Sequence, residues 1–140
     1  KFGVVDAAGD GDAVAVWYDN TGEMHEIESY SERLAAAVGP HWLSRFEAFD
    51  AELMAHHPHE PHYHLALLAV RPNRQSQGLG GELLERQHNW LDERGIDAYL
   101  EASTPRARDL YLRHGYEPFG EPYYLPEGGP PMFPLWRNAR

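Results

Sequence analysis

An α/β fold, with a mixed β-sheet flanked by helices, is what this sequence predicts. Two patterns carry the expectation. Segments of strand and helix character alternate through the second half of the chain. One almost wholly apolar run, Leu65 to Val70, leads through a glycine-containing loop straight into an amphipathic helix. A length of 140 residues with 42% apolar content fits one domain, 1–140, that buries a core without disulfide or metal staples.

The elements follow in order. Phe2 to Val5 and Ala13 to Tyr18 read as strands, and the turn formers of Asp6 to Asp12 between them suggest a hairpin. Ser31 to Val38 is alanine-rich and helical, and Gly39-Pro40 stops it. His41 to Ala55 reads as a second helix. Its Trp42, Leu43, Phe46, Phe49, Leu53 and Met54 recur at helical spacing and read as core packing. His56 to His64 then holds five histidines in nine residues. Imidazole is the commonest metal ligand, but this spacing fits no standard zinc pattern. With Pro58 and Pro61 keeping the segment extended, a solvated loop without metal is expected.

Tyr63 to Val70 reads as a central buried strand, broken by Arg71-Pro72-Asn73-Arg74. Gly80 to Arg94 is an amphipathic helix whose Leu83, Leu84 and Leu91 share a face, with Trp90 beside them, and Gly95 ends it. Ala98 to Ala102 is a strand, and Pro105 opens a short helix through His114 that Gly115 caps. Tyr116 to Glu121 and Met132 to Arg137 are the last strands, joined by a Pro-rich turn. Pro134 lies inside the last of them, which predicts a bulge or an edge position. Tyr123, Tyr124, Phe133 and Trp136 read as packing in these strands, with a homodimer interface as the alternative.

Composition excludes several functions. There is no cysteine, hence no thiol nucleophile and no cysteine-ligated zinc. A formal net charge of -10 argues against nucleic acid as a partner, because phosphate neutralisation needs clustered Lys and Arg. No apolar run is long enough to span a bilayer, so no membrane partner and a cytoplasmic setting are expected.

The chemistry concentrates in Val70 to Gly81. A buried strand enters a polar loop that opens onto a helix, so free backbone N–H groups and the positive end of the helix dipole converge on one point, suited to a pyrophosphate. Glycines at 78, 80 and 81 keep side chains out of that approach. A P-loop would need Lys and then Ser or Thr after the last glycine, where Gly81-Glu82 stands. A dinucleotide-binding turn would need a third glycine where Leu83 stands. Gln75-x-x-Gly78-x-Gly80, preceded by Val70-x-Pro72, instead resembles the acetyl-CoA-binding signature of the GNAT N-acetyltransferase superfamily. Leu110-Tyr111-x-x-x-Gly115-Tyr116 resembles the same family's second motif. Ala13 to Trp17, His59-Glu60-Pro61, Tyr99 to Arg106 and Tyr124 to Gly128 resemble, in order, the puromycin N-acetyltransferase branch.

The resemblance implies the GNAT fold and acetyl-CoA as co-substrate, with no metal. It implies transfer of acetyl to a primary amine of a small molecule by direct attack in a ternary complex. A protein lysine or N-terminal acceptor, or a non-catalytic CoA-binding module, are the alternatives. Leu68, Ala69 and Val70 would bind the pantetheine arm through their backbone, and the N–H of Leu68 or Ala69 would polarise the acetyl carbonyl. Gln75, Ser76, Gln77, Gly78, Leu79, Gly80 and Gly81 would cradle the diphosphate. Tyr111 would protonate the departing thiolate. His64 and Glu101 are rival candidates for the base that takes the amine proton. Two departures stand out. The family fold places a strand and two helices ahead of the strand that opens here, so the resemblance implies a domain lacking them. Ala107 replaces an asparagine that often contacts the coenzyme, and Arg106 is the substitute expected to reach a phosphate.

Overall fold

Alternation of small and bulky apolar residues builds the first half of the sheet. In the computed structural model, which describes residues 3–22 and 28–140, β1 (Gly3–Ala8) and β2 (Ala13–Asn20) form an antiparallel hairpin from Gly3↔Tyr18 to Ala8↔Ala13. Phe2 of the expected first strand lies outside the described residues. That strand runs on to Ala8, which confines the turn to 9–12, where Asp12 N–H donates to the Gly9 carbonyl at 3.1 Å. Gly9, Asp10 and Gly11 all take positive φ there, which explains the residue choice.

Helices α1 (Tyr30–Val38) and α2 (Pro40–His56) follow. Then come β3 (His62–Val70), a short 3-10 turn at Pro72–Arg74, α3 (Leu79–Asp92), β4 (Ala98–Ala102) and α4 (Pro105–Arg113). Strands β5 (Glu117–Pro118), β6 (Tyr123–Tyr124) and β7 (Pro131–Arg137) complete the chain. The seven-stranded sheet has the order β1-β2-β3-β4-β7-β5, with β6 also on β7. Only β3 and β4 run parallel, so the sheet is mixed as expected.

One face of the sheet is the core face. Ala13, Ala15 and Trp17 of β2, Tyr63 and Leu65 of β3, and Ala98, Leu100 and Ala102 of β4 pack there against Leu83, Leu84 and Leu91 of α3 and Tyr111 of α4. The three leucines are fully buried, each worth about 1.5–3 kcal/mol. Residues between them in sequence, Tyr18, Asn20, His62, His64, Tyr99 and Glu101, take the opposite face because strand side chains alternate.

Three expectations need correction. None of the α2 residues is buried: Trp42, Phe46 and Met54 are 47%, 41% and 56% exposed. Helical spacing identifies a common stripe but not what covers it. This helix packs on α1 and reaches the sheet region where His56 stacks on Tyr123 at 3.8 Å. The strand expected at 116–121 shrinks to Glu117–Pro118, and Tyr123–Tyr124 forms a separate short strand. Pro134 sits without a bulge opposite Glu101, in a strand flanked on both sides. Its carbonyl accepts from Phe119 N–H at 2.9 Å, so its nitrogen points to that same outer flank. There the partner is interrupted between β6, whose Tyr123 lies opposite Met132, and β5, whose Pro118 lies opposite Leu135, so no ladder bond is lost. Of the late aromatics, Tyr123 is buried and Phe133 and Trp136 half-buried, while Tyr124 is 69% exposed.

His88 of α3 is buried beside Trp17, its Nε2 3.1 Å from the Tyr116 hydroxyl. Burial, reinforced by the nearby positive charge of Arg137, pushes its pKa down to about 3. The unfolded chain therefore binds this proton first. The contribution of His88 is complete above pH ~6.5 and declines as pH falls, by about 2 kcal/mol at pH 5. Urea unfolding between pH 7 and 5 is expected to show that loss in the parent chain and a flatter dependence in His88→Gln; parallel curves would contradict it.

Candidate active site

Parallel pairing of β3 with β4 stops after two residue pairs, Tyr63↔Ala98 and His64↔Tyr99. On its other side β3 stays paired with β2 as far as Val70↔Ala13. That ladder skips Ala66, because Trp17 lies opposite Leu65 and Val16 opposite Leu67. An extra residue of this kind bends the strand that carries it. Strand β4 meanwhile remains paired with β7 through Ala102↔Phe133. Beyond His64 the two central strands part, and the β4-facing edge of β3 has no strand partner among the described residues. Leu68, Ala69 and Val70 lie on this open edge, with main-chain hydrogen-bonding groups along it.

The loop that follows is braced by its own side chains. Gln75 Nε2 donates to the Val70 carbonyl at 3.2 Å, and Gln77 Nε2 to the Asn73 carbonyl at 3.2 Å. Ser76 Oγ accepts from Arg106 Nη2 at 3.0 Å, which ties the loop to the first turn of α4. Gly78 caps α3 at φ +90°, and no side chain caps that end, so the first-turn N–H groups are unclaimed by a side chain. Residues 75 to 78 are exposed. Leu79, Gly80 and Gly81 form the first turn; Gly80 faces Leu68 and Val70, where a Cβ would stand 3.7 and 3.6 Å from their methyl groups. An accessible, uncapped helix start at the end of a parted strand has main-chain donors of the kind that bind an anionic group. The amides of the two glutamines hold the loop's shape, and Arg106 bonds Ser76. At the start of α4, the N–H of Ala107 is taken by Thr104 Oγ1 at 3.1 Å.

On the opposite face, at the point where the strands part, His64 and Glu101 meet. His64 Nε2 donates to Glu101 Oε2 at 2.9 Å, with side chains 16% and 5% exposed. Tyr99 donates to the other carboxylate oxygen, Oε1, at 2.9 Å. Burial works to raise the Glu101 pKa, but the bonds from His64 and Tyr99 outweigh it and hold the carboxyl below its usual value. The two residues read from sequence as rivals are therefore one hydrogen-bonded pair. Its imidazole keeps Nδ1 free of Glu101.

The histidine-rich segment is not the solvated loop expected. His62 is buried and His57 half-buried, and with His64 they surround the Tyr99 ring at centroid distances of 5.4, 5.4 and 5.6 Å. Asn20 Nδ2 donates to His57 Nε2 at 3.1 Å and lies 3.4 Å from His62 Nε2, while His62 Nδ1 donates to the Glu60 carbonyl. Burial, with His64 and His62 nearby, lowers His57 to about 4. No group of three or more metal-ligating side chains is gathered among the described residues. Tyr99 and Asn20 were not singled out from sequence, and His57 and His62 were read there only as part of the solvated histidine-rich loop. The two-residue spacing of His62 with His64 and of Tyr99 with Glu101 was the available signal, since it puts each pair on one strand face.

Tyr111 stands on the core face, on α4 against β4. Burial pushes its hydroxyl up to about 12, so the phenol keeps its proton at neutral pH. The acid candidate and the His64–Glu101 pair thus flank the parted strands from opposite faces.

Comparison with known proteins agrees with this architecture. The acetyltransferase (GNAT) domain family matches residues 46–118. A Corynebacterium glutamicum protein described as histone acetyltransferase HPA2 and related acetyltransferase is 24% identical, with a TM-score of 0.66. The match covers 99% of this chain and 66% of that one. Arylalkylamine N-acetyltransferase 2 of Aedes aegypti is 14% identical at a TM-score of 0.64, over 99% of this chain and 74% of its own. A Drosophila melanogaster polyamine N-acetyltransferase that forms N-acetylagmatine is 20% identical at 0.59, over 94% and 72%. At such identities the similarity concerns the fold.

At Gly78 no atom lies within 4 Å of the place a Cβ would occupy, so a side chain there meets strain and no clash. Gly78→Ala is expected to lower the unfolding free energy by about 1–2 kcal/mol, the usual cost of a left-handed L-residue, with the circular dichroism spectrum unchanged. Denaturant unfolding measures it.

Proposed function

The chain belongs to the GNAT acetyltransferase family, and on that premise we propose that it transfers acetyl from acetyl-CoA to a primary amine of a small molecule, by direct attack in a ternary complex. The observation that carries this reading is the continuity between the parted edge of β3 and the uncapped start of α3, joined through an exposed loop. Thioester arm and diphosphate need these two features in sequence, and the residues present fit both. The first-turn amides of Leu79, Gly80 and Gly81, with the loop at Gln75, Ser76, Gln77 and Gly78, take the diphosphate. Arg106, already 3.0 Å from Ser76, adds positive charge at the loop. The exposed main-chain edge at Leu68 to Val70 takes the pantetheine amides, and an N–H there polarises the acetyl carbonyl.

Acetyl-CoA supplies a thioester; the amine nitrogen bonds to its carbonyl carbon and the carbon–sulfur bond breaks. His64 removes the amine proton through Nδ1, while Glu101 accepts from Nε2–H, fixing the tautomer and stabilising the imidazolium. Tyr111 gives its proton to the sulfur from the other face, carrying that proton at neutral pH. The acidic surface, with a net charge of -10, favours a cationic acceptor. Structural relatives that acetylate arylalkylamines and agmatine set the first acceptors to try.

Calorimetry with acetyl-CoA, run beside CoA release on a panel of arylalkylamines, agmatine, polyamines and a lysine peptide, tests the reading. Binding with release on a small amine is expected; binding without release on every amine would leave a CoA-binding module. Given an accepted amine, His64→Gln is expected to lower kcat/KM by roughly 10²–10⁴-fold with acetyl-CoA affinity kept, and an unchanged kcat/KM would remove His64 as the base. Tyr111→Phe is expected to lower kcat by a factor of up to roughly 10²–10⁴ with acetyl-CoA affinity kept; an unchanged kcat would remove Tyr111 from the mechanism.

A further inference from the structure

The His64–Glu101 pair has a third member on β4. Tyr99 and Glu101 are two residues apart and share a strand face, which places the phenol hydroxyl at the carboxylate oxygen that His64 does not use. Tyr99 itself is tightly enclosed. It is fully buried, its ring stands edge-on to His57 and His62 at 5.4 Å, and Phe119 and Trp136 close the other sides at 5.9 and 6.3 Å. A buried carboxylate held by one bond could turn about its own side-chain torsions, and a second, rigid donor removes that freedom.

We propose that Tyr99 is a positioning residue of this site: its hydroxyl holds Glu101 in the orientation that meets His64, and so governs the base without touching either substrate. The proposal rests on the acetyl-transfer reading above for its catalytic consequence, and on the two hydrogen bonds to Glu101 alone for the coupling. Burial and the neighbouring Glu101 charge push the Tyr99 ionisation far upward, so it remains a donor wherever the fold persists. The other groups facing His64 are Tyr18 from β2, His62 from β3 and His57 from the segment after α2. Tyr123 from β6 stands within the field of Glu101, and Glu52 from α2 acts on that same phenol.

The test is a double-mutant cycle on the full chain, with Tyr99→Phe, Glu101→Gln and both together. Phenylalanine keeps the ring that packs against three imidazoles, and circular dichroism with histidine NMR dispersion verifies the fold. The NMR titration midpoint of His64 is expected to move in Y99F part of the way to its value in E101Q. Y99F should then add nothing in the E101Q background. A midpoint unmoved by Y99F overturns the proposal, as does an equal shift in both backgrounds, which would mean that the hydroxyl acts on His64 without Glu101. With an amine that the chain acetylates, Y99F is expected to lower kcat/KM about tenfold, the scale of one bond to a charged group, with the KM for acetyl-CoA unchanged. The titration needs no turnover. Failure of every amine would therefore count against acetyl transfer and leave the cycle to decide the coupling.

Discussion

The separation of β3 from β4 is the constraint on which the rest depends. Two parallel pairs hold the strands together at one end, and the extra residue at Ala66, which bends the strand that carries it, falls just beyond the last of them. Unpaired main chain inside a sheet is costly unless something else satisfies it. The sheet tolerates the gap because β3 stays bonded to β2 and β4 to β7, so each strand loses partners on one side only. Everything of chemical interest borders that gap: the glycine loop at its wide end, His64 and Glu101 where it starts to open, and Tyr111 across the sheet.

The parting also divides the labour between faces. The core face carries the leucines of α3 and the tyrosine of α4, a setting of low polarity that keeps a phenol neutral. The other face carries imidazoles, carboxylates and phenols in direct hydrogen-bond contact. A sheet two residues out of register would exchange none of these, but a slip of one would bury Glu101 among the leucines. The alternation along Ala98 to Ala102 thus fixes both fold and site.

Much of this was legible in the sequence, for reasons that differ by element. The boundaries of β4 coincide with the expected ones, and those of α3 and α4 fall within two residues, because glycine, proline and amphipathic spacing mark them locally. The strand–loop–helix junction at 70–81 was readable because proline and glycine mark it locally. The coupling of His64 to Glu101 was not, since it depends on the register of two strands separated by a helix, which no local pattern encodes. The same holds for the imidazoles around Tyr99: proline spacing suggested an exposed loop, while tertiary packing enclosed His57 and His62. The exposure of Trp42, Phe46 and Met54 was hidden for the converse reason, as an apolar stripe looks alike whether or not anything covers it.

Pro134 carries a consequence for the assembled sheet as a solid object. With its nitrogen aimed outward, and with β5 and β6 spanning only two residues each, that flank of β7 carries no unbroken ladder. One imino nitrogen thus decides that this flank of β7 is closed by two short strands and the Phe119 N–H, where a full-length neighbouring strand would leave an acceptor unserved.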